Sequence, residues 1–316
     1  MKLYRNPDDL GADAQGGAVV IGNFDGVHRG HRALIEAAKD LAGAGPISLL
    51  TFEPHPRQFF QPDIAPFRLT LFRQKARLLQ AAGVQHLLVR GFSAELANQC
   101  AEDFVTQNLV QGFKAQHVVV GADFRFGKGR VGTPDLLRQM LSETGATITV
   151  LDAVGDEVGT LSSSRIRQAL SAGNIAEATG ILGRPFDLGG VVREGAQRGR
   201  AMDYPTANIA LDAANHRPAY GVYAVTAAVS SDSIEAAIPE QWWQGVANFG
   251  NRPTVDGAEE LLEVHLFDVQ PTLYGAYLTV RFHDFIRPEQ KFDGIEALKA
   301  QIEIDAAAAR DWFSQH

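Results

Sequence analysis

Cysteine is nearly absent: Cys100 is the single one in 316 residues. That excludes an intramolecular disulfide framework and a cysteine-rich metal site. Cys100 falls in a helical-looking stretch, Glu95–Val105, where a small buried apolar role is expected. Long apolar runs are missing too, so no window approaches the length of a membrane span. Met1-Lys2-Leu3-Tyr4-Arg5-Asn6-Pro7 carries no apolar h-region, and a cytoplasmic location is expected. Positive charge is in deficit, with 29 Lys+Arg against 37 Asp+Glu and a formal net charge of -8. This balance disfavours non-specific binding to nucleic acid or to an anionic membrane, and neither is expected as a partner. A polyanionic substrate must therefore meet local basic clusters. What the chain does have is a globular composition, 45% hydrophobic and 21% charged, on a length sufficient for two domains.

Short apolar runs alternate with helical patterns through the first part. Strands are expected at Ala18–Ile21, Ile47–Phe52, His86–Val89, His117–Gly121 and Thr147–Leu151. Helices are expected at about His31–Leu41, Gln74–Ala82, Ala101–Val110 and Pro134–Ser142. This alternation implies βαβ units and an open α/β sheet with a parallel arrangement. The turns Gly22–Gly30, Phe52–Pro56 and Gly121–Gly129 each follow a strand, so all three belong on the carboxyl rim where such sheets bind ligands. Two short helices, Ile166–Ala172 and Ile175–Leu182, precede the break at Gly183-Arg184-Pro185. Beyond it, Val222–Val229, Gln244–Asn248, Leu262–Phe267 and Leu278–Phe282 alternate with period two, as in an antiparallel barrel. A closing helix is expected over roughly Glu289–Phe313, with Phe292, Ile295, Leu298 and Ile302 at helical spacing. The domains are expected at 1–184 and 185–316.

The most specific motif is Gly22-Asn23-Phe24-Asp25-Gly26-Val27-His28-Arg29-Gly30-His31, between a strand and a helix. Its glycines let backbone approach phosphates, and the helix start offers free N–H groups. His28 and His31 can donate to phosphate oxygens and stabilise charge on leaving pyrophosphate. Arg125, Lys128 and Arg130 form one basic cluster and Arg165 and Arg167 a second. Both suit a reaction in which one phosphate must approach another against like charge. Gly127-Lys128-Gly129-Arg130-Val131-Gly132 satisfies a dinucleotide-binding pattern but does not directly follow its strand, and no P-loop is present.

The Gly22–His31 segment resembles the GxFDGxHxGH signature of the nucleotidylyltransferase superfamily in its flavin-synthesising branch. Thr51-Phe52-Glu53-Pro54-His55-Pro56, Gly121–Gly127 and Ser162-Ser163-Ser164-Arg165-Ile166-Arg167 match the same branch. The resemblance implies that ATP and its phosphates are met by Gly22, Phe24, Asp25, His28, Gly30, His31, Asp123 and Arg125. It also implies a second phosphate-binding turn at Ser163, Ser164 and Arg167, with Ser164 where the family usually has Thr. Pro54, His55 and Pro56 are implied on the flavin side.

In the second part, Gly199-Arg200-Ala201-Met202-Asp203-Tyr204-Pro205-Thr206-Ala207-Asn208 supplies a basic loop ending in a rigid turn. Thr206 and Asn208 are hard oxygen donors suited to Mg²⁺ held mainly by nucleotide phosphates; an ordinary Pro turn with an Asn cap is the alternative. The stretch resembles the GRxxGFPTAN signature of riboflavin kinases, although the family usually has Gly where Asp203 stands. Gly245–Thr254, Glu263–Asp268 and Arg287–Asp293 continue the resemblance. It implies Glu263 as catalytic base, Gly199 and Arg200 at the phosphates, Thr206 and Asn208 at the metal, and Asn248, Arg252 and Arg287 on the flavin.

The expectation is a Rossmann-like domain that adenylylates FMN to FAD with release of pyrophosphate. A small antiparallel β-barrel with a C-terminal helix is expected to phosphorylate riboflavin to FMN. Both reactions would use ATP and Mg²⁺. Asp203 leaves open an adenylyltransferase whose barrel binds flavin without phosphorylating it. A flavin-sensing regulator is the reading from another class.

Overall fold

The computed structural model describes residues 1–193, 204–231, 233, 239, 241–254, 257–269 and 271–316, with the side chains of 252–259 outside that set. Contacts divide the chain into two units. One comprises Met1–Ala65 and Thr70–Ser162, the other Pro66–Leu69 and Ser163–His316.

In the first unit, Lys2–Tyr4 (β1), Ala18–Ile21 (β2), Ile47–Glu53 (β3), His86–Gly91 (β4), His117–Gly121 (β5) and Thr147–Leu151 (β6) form one sheet in the order β1-β4-β3-β2-β5-β6. Every pairing in it is parallel. Ala18-Val19-Val20-Ile21 and Val118-Val119-Val120 are buried throughout, as strands covered on both faces must be. The helices are Arg29–Ala42 (α1), Pro56–Phe60 (α2), Phe72–Ala81 (α3), Ala94–Asn98 (α4), Ala101–Val105 (α5) and Pro134–Ser142 (α6). From β2 the chain builds β3 and β4 to one side, then β5 and β6 to the other. The order thus reverses between β2 and β5, and a ligand crevice is expected beyond the carboxyl ends of those two strands.

Two expectations are corrected here. The helix foreseen over Ala101–Val110 is α5 followed by a π-helical turn, Thr106–Gly112. Cys100 is exposed, not buried: the Glu95–Val105 stretch breaks into two helices, and Cys100 caps the second, its Sγ accepting from Asp103 N at 3.3 Å.

A short hairpin, Gly155–Asp156 (β7) and Gly159–Thr160 (β8), closes the first unit. The second begins with Ser163–Ser171 (α7) and Ile175–Leu182 (α8). Phe186–Arg193 (β9), Ala207–Leu211 (β10), Gly221–Ser230 (β11), Trp243–Thr254 (β12), Gly257–Leu266 (β13) and Tyr277–Pro288 (β14) then form a closed antiparallel barrel, in the order β10-β13-β12-β11-β14-β9. β9 closes it against β10. α7 joins this unit through Ala219 N donating to Leu170 O at 2.9 Å. Tyr223, Phe249, Leu262, Phe186 and Phe282 fill the lumen, each 0–1% exposed. In β9, a Cβ on Gly190 would lie 2.1 Å from Ala210 O, so only glycine lets the two strands close.

Helix Ile295–Gln315 (α9) covers the outer wall. It begins after Gly294, not at Glu289, because β14 continues to Pro288 to complete its pairing with Gly221. Its seat is Ala306, Ala309, Trp312 and Phe313 against Val222, Ala224 and Val246, whereas Ile295 stands exposed. His283 lies beneath the end of α9, 5.3 Å from the Trp312 ring and 5.5 Å from Phe313, with Thr226 Oγ1 at 2.9 Å. Burial, then the Arg281 charge, lowers its pKa to about 4. The unfolded chain therefore takes up this proton first. Stability is full above about pH 6.5 and falls as pH drops from there to about 4, by about 1–2 kcal/mol after allowance for partial exposure. Urea titrations of His283→Phe between pH 7 and 4 should show a correspondingly shallower loss.

Candidate active sites

The Gly22–His28 loop leaves β2 at the switch point with positive φ at Phe24 (54°), Gly26 (88°) and Val27 (45°). Such backbone persists only where its surroundings over-determine it. Phe24 and Val27 are fully buried, and Asp25 is 2% exposed. Thr70 N donates to Asp25 Oδ1 at 3.1 Å, and Gly26 N donates to Thr70 Oγ1 at 3.0 Å. Asp25 thus turns inward and braces the loop.

His28 caps α1, its Nδ1 accepting from His31 N at 3.3 Å. That bond leaves the proton on Nε2, making Nε2 the donor. The two imidazoles stack at 3.6 Å between centroids, and Phe24 lies 4.9 Å from the His31 ring. A Cβ on Gly30 would come 3.1 Å from the His28 ring, so glycine there lets the ring lie across the helix start. Burial, then the charges of His28 and Lys75, hold the His31 pKa well below the usual imidazole range. His31 is therefore neutral at pH 7.

At the end of β3, His55 caps α2 through Nδ1, accepting from Arg57 N at 3.1 Å. Pro54 is exposed and Pro56 half-buried. Phe59, Phe60 and Phe92 gather beside this turn with centroids 5.3–5.6 Å apart, and Phe60 is 65% exposed. Beneath it lies a fully buried lysine. Lys75 Nζ is 2.7 Å from Glu53 Oε1 and 3.3 Å from both Thr51 Oγ1 and Asn23 O. Sequence reasoning passed over both features. The available signal for Lys75 was its place four residues before Leu79, on the buried stripe of α3.

The Gly121–Gly129 loop leaves β5 on the other side of the switch point, with Asp123, Lys128 and Arg130 exposed. Arg125 is exposed as well, and its Nη1 donates to Phe124 O at 2.7 Å. Ser163, Ser164, Arg165 and Arg167, the segment of the second basic cluster, form the first turns of helix α7, within the second unit, shortly after the hairpin strand β8. Arg165 Nε pairs with Glu177 Oε1 at 2.7 Å, and Arg167 Nε donates to Phe67 O at 2.6 Å. A cavity of about 610 Å³ beside Lys2, Asp13, Pro46 and His86 lies at the amino end of the sheet and holds no candidate residue.

In the barrel, register gathers the polar candidates. Glu263 lies directly opposite Asn208 on one side and Asn248 on the other. Asn248 faces Val222, which faces Arg287. Opposed residues share a face. Val222 packs under α9, so this row lies on the outer wall while Ala207, Val264, Ala247 and Tyr223 point inward. Asn208 is 8% exposed and Glu263 and Asn248 are half-buried. His265 Nδ1 bonds Pro205 O at 3.0 Å, fixing the approach to Thr206. Gly199, Arg200, Asp203 and the Arg252 side chain lie outside the described residues.

Arg287 is engaged by α9: Nε and Nη2 donate to Asp305 Oδ1 and Oδ2 at 2.8 and 2.6 Å, and Gln301 Nε2 also reaches Oδ1, at 2.9 Å. Asp305 is 4% exposed. Asp305→Ala would strand the guanidinium, at an expected cost of about 3 kcal/mol, read as a lower urea midpoint at unchanged m-value.

Among the described residues, no group of three or more His, Cys, Asp or Glu is arranged to hold a metal. Nor is any described helix long and apolar enough to cross a membrane. The hydroxyl of Thr206 and the amide oxygen of Asn208 are hard donors of the type that suits a divalent cation whose charge is balanced by phosphate.

Comparisons with known proteins divide along the same chain. A family model described as FAD synthetase matches residues 11–165, and one described as riboflavin kinase matches 182–313. A bifunctional riboflavin kinase/FMN adenylyltransferase of Escherichia coli K12 is 40% identical over 316 residues, covering 99% of this chain and 98% of that protein. The protein of that description from Pseudomonas fluorescens is 41% identical, covering 98% and 97%, and that from Bacillus subtilis 34%, covering 98% and 96%. A solved structure described as a macrolide-efflux protein from Streptococcus pneumoniae superposes with a TM-score of 0.87 at 32% identity, covering 98% of this chain and 99% of that one.

Proposed function

The chain belongs to the bifunctional riboflavin kinase/FMN adenylyltransferase family, and from that premise we propose how its residues divide the two reactions. Riboflavin and ATP are the substrates of one, FMN and ATP of the other. The functional boundary falls near 184, a reading supported by family matches that end at 165 and resume at 182.

Adenylylation belongs to the β2/β5 switch point. The α1 start, with Gly22, Phe24, Asp25 and Gly30 shaping the loop, would receive the ATP phosphates. His28 Nε2 donates to them, and neutral His31 holds the ring stack without adding a second buried charge. Asp123 and Arg125 serve the nucleotide. Ser163, Ser164 and Arg167, at the start of α7, are the phosphate-binding residues that the resemblance implies, with Arg167 oriented by the Phe67 carbonyl. Pro54, His55 and Pro56, with Phe59, Phe60 and Phe92, offer the flavin an aromatic edge.

Phosphorylation belongs to the outer barrel wall, and the observation that carries this is the Asn208–Glu263–Asn248 row. Glu263 accepts the ribityl 5′-hydroxyl proton as the γ-phosphate departs. Asn248, with Arg252, serves the flavin. Thr206 and Asn208 would hold Mg²⁺, which when bound offsets phosphate charge; Gly199 and Arg200 serve the phosphates. Arg287 keeps α9 against the wall and borders the flavin. The single cysteine and the need for ATP fit a cytoplasmic setting.

A time course with riboflavin, ATP and Mg²⁺ tests the pair of reactions. FMN should appear first and FAD follow. No FMN, with supplied FMN still converted to FAD, would leave a barrel that binds flavin without phosphorylating it.

A further inference from the structure

We propose that Lys75 is a positioning residue for FMN adenylylation, its buried ammonium fastening the end of β3 to the loop that carries His28. The proposal rests on the reading that this loop holds the ATP phosphates.

Lysine is almost never fully buried unless paired. Lys75 is 0% exposed and directs its ammonium at Glu53 Oε1 (2.7 Å), Thr51 Oγ1 (3.3 Å) and Asn23 O (3.3 Å). Thr51 Oγ1, accepting from Lys75, donates its own proton to Asn23 O at 3.2 Å. The ammonium and the hydroxyl therefore converge on one carbonyl. That carbonyl belongs to the residue just before Phe24, where the first positive φ of the loop occurs. Asp25 and Thr70 brace the far side of the same loop. Lys75 is also among the charges that keep His31 neutral.

Stability alone gives no reason for this arrangement, because apolar side chains of similar volume commonly replace a buried ion pair without loss. Position does. Glu53 leads into Pro54-His55-Pro56, on the proposed flavin side, and Asn23 leads into the phosphate loop. A single cation thus sets the separation between the two substrates. Attack of the FMN phosphate on the α-phosphate of ATP requires reacting atoms held near 3–3.5 Å, a geometry sensitive to small displacements.

The test uses the full chain, with riboflavin phosphorylation in each preparation as the control for folding. Lys75→Met alone would remove the ammonium that faces the half-buried Glu53 carboxylate and change the charge of the cluster, so the decisive variants are Lys75→Met/Glu53→Gln and the near-isosteric Thr51→Val. The double variant should keep kinase activity within twofold. Its kcat for FAD formation from supplied FMN should fall about 100-fold, the scale of a misplacement near 1 Å, with the loss on kcat exceeding any change in KM for ATP. Thr51→Val should show the same split to a smaller degree, and it decides the matter if the double variant fails to fold. A folded double variant, or Thr51→Val in its place, that makes FAD within threefold of wild type overturns the proposal, as does a loss confined to KM. His28→Ala, assayed alongside, separates the two levels. If His28→Ala also makes FAD normally, the reading of the loop itself is wrong; if it is inactive, only the role of Lys75 falls.

Discussion

Replacing Glu263 by alanine is expected to stop FMN formation while supplied FMN is still converted to FAD. A positioned general base contributes about 10²–10⁴-fold, so riboflavin phosphorylation should fall by that factor. The register explains why the change should be specific. Glu263 is the acid in a row of amides, Asn208 on β10 and Asn248 on β12, and its neighbours Leu262 and Val264 point into the lumen at 0% and 1% exposure. Truncating a half-buried outward side chain leaves the lumen packed, so the barrel should unfold at nearly the wild-type urea concentration. Glu263→Gln keeps the shape and removes the proton acceptor, and it should be as inactive as the alanine variant. A glutamine variant that phosphorylates riboflavin at more than a tenth of the wild-type rate would assign Glu263 to binding and not to proton transfer.

The face on which Glu263 lies was hidden in the sequence. Period-two alternation with Val264 and Leu266 says that Glu263 is on one side of a strand, not which side matters; only pairing with two other strands puts it between two amides. Where apolar residues run together or recur at helical spacing the sequence was sufficient. Ala18–Ile21, His117–Gly121, Thr147–Leu151 and Pro134–Ser142 have the bounds expected of them, although only the first two are buried through their centres. Phe186–Arg193 was missed because Gly189 and Gly190 interrupt its alternation, and both are glycines for the sake of close neighbours, Tyr277 and Ala210. Ala207–Leu211 was hidden behind a Pro-Thr turn signal, although the chain passes straight from that turn into a strand between β9 and β13. The Lys75 cluster needs Asn23, Thr51 and Glu53 at once, and nothing local in α3 reports them. The three strand-end turns, by contrast, do follow parallel strands of one sheet, as the βαβ alternation implied.

His28→Ala should give the opposite division, with FAD formation lost and riboflavin phosphorylation retained. The side chain does two things, and they can be separated. As the cap of α1 it satisfies His31 N through Nδ1, a contact whose loss costs about 1 kcal/mol of stability. As an Nε2–H donor at the helix start it would meet charge that develops on the departing pyrophosphate, worth about 10²–10³-fold in kcat. His28→Asn restores a capping oxygen but not a donor at the imidazole's reach. The asparagine variant should therefore recover the urea midpoint and stay about 100-fold slow in FAD formation, measured as pyrophosphate released from ATP and supplied FMN. Removing the ring also uncovers the face of His31 on which it stacks at 3.6 Å, and because burial is the main cause of the low His31 pKa, that pKa should rise in either variant, visible by NMR titration. If the asparagine variant regained FAD synthesis together with stability, His28 would be a helix cap and nothing more. If it and Glu263→Gln each lost both reactions while folded, the two sites would not be independent.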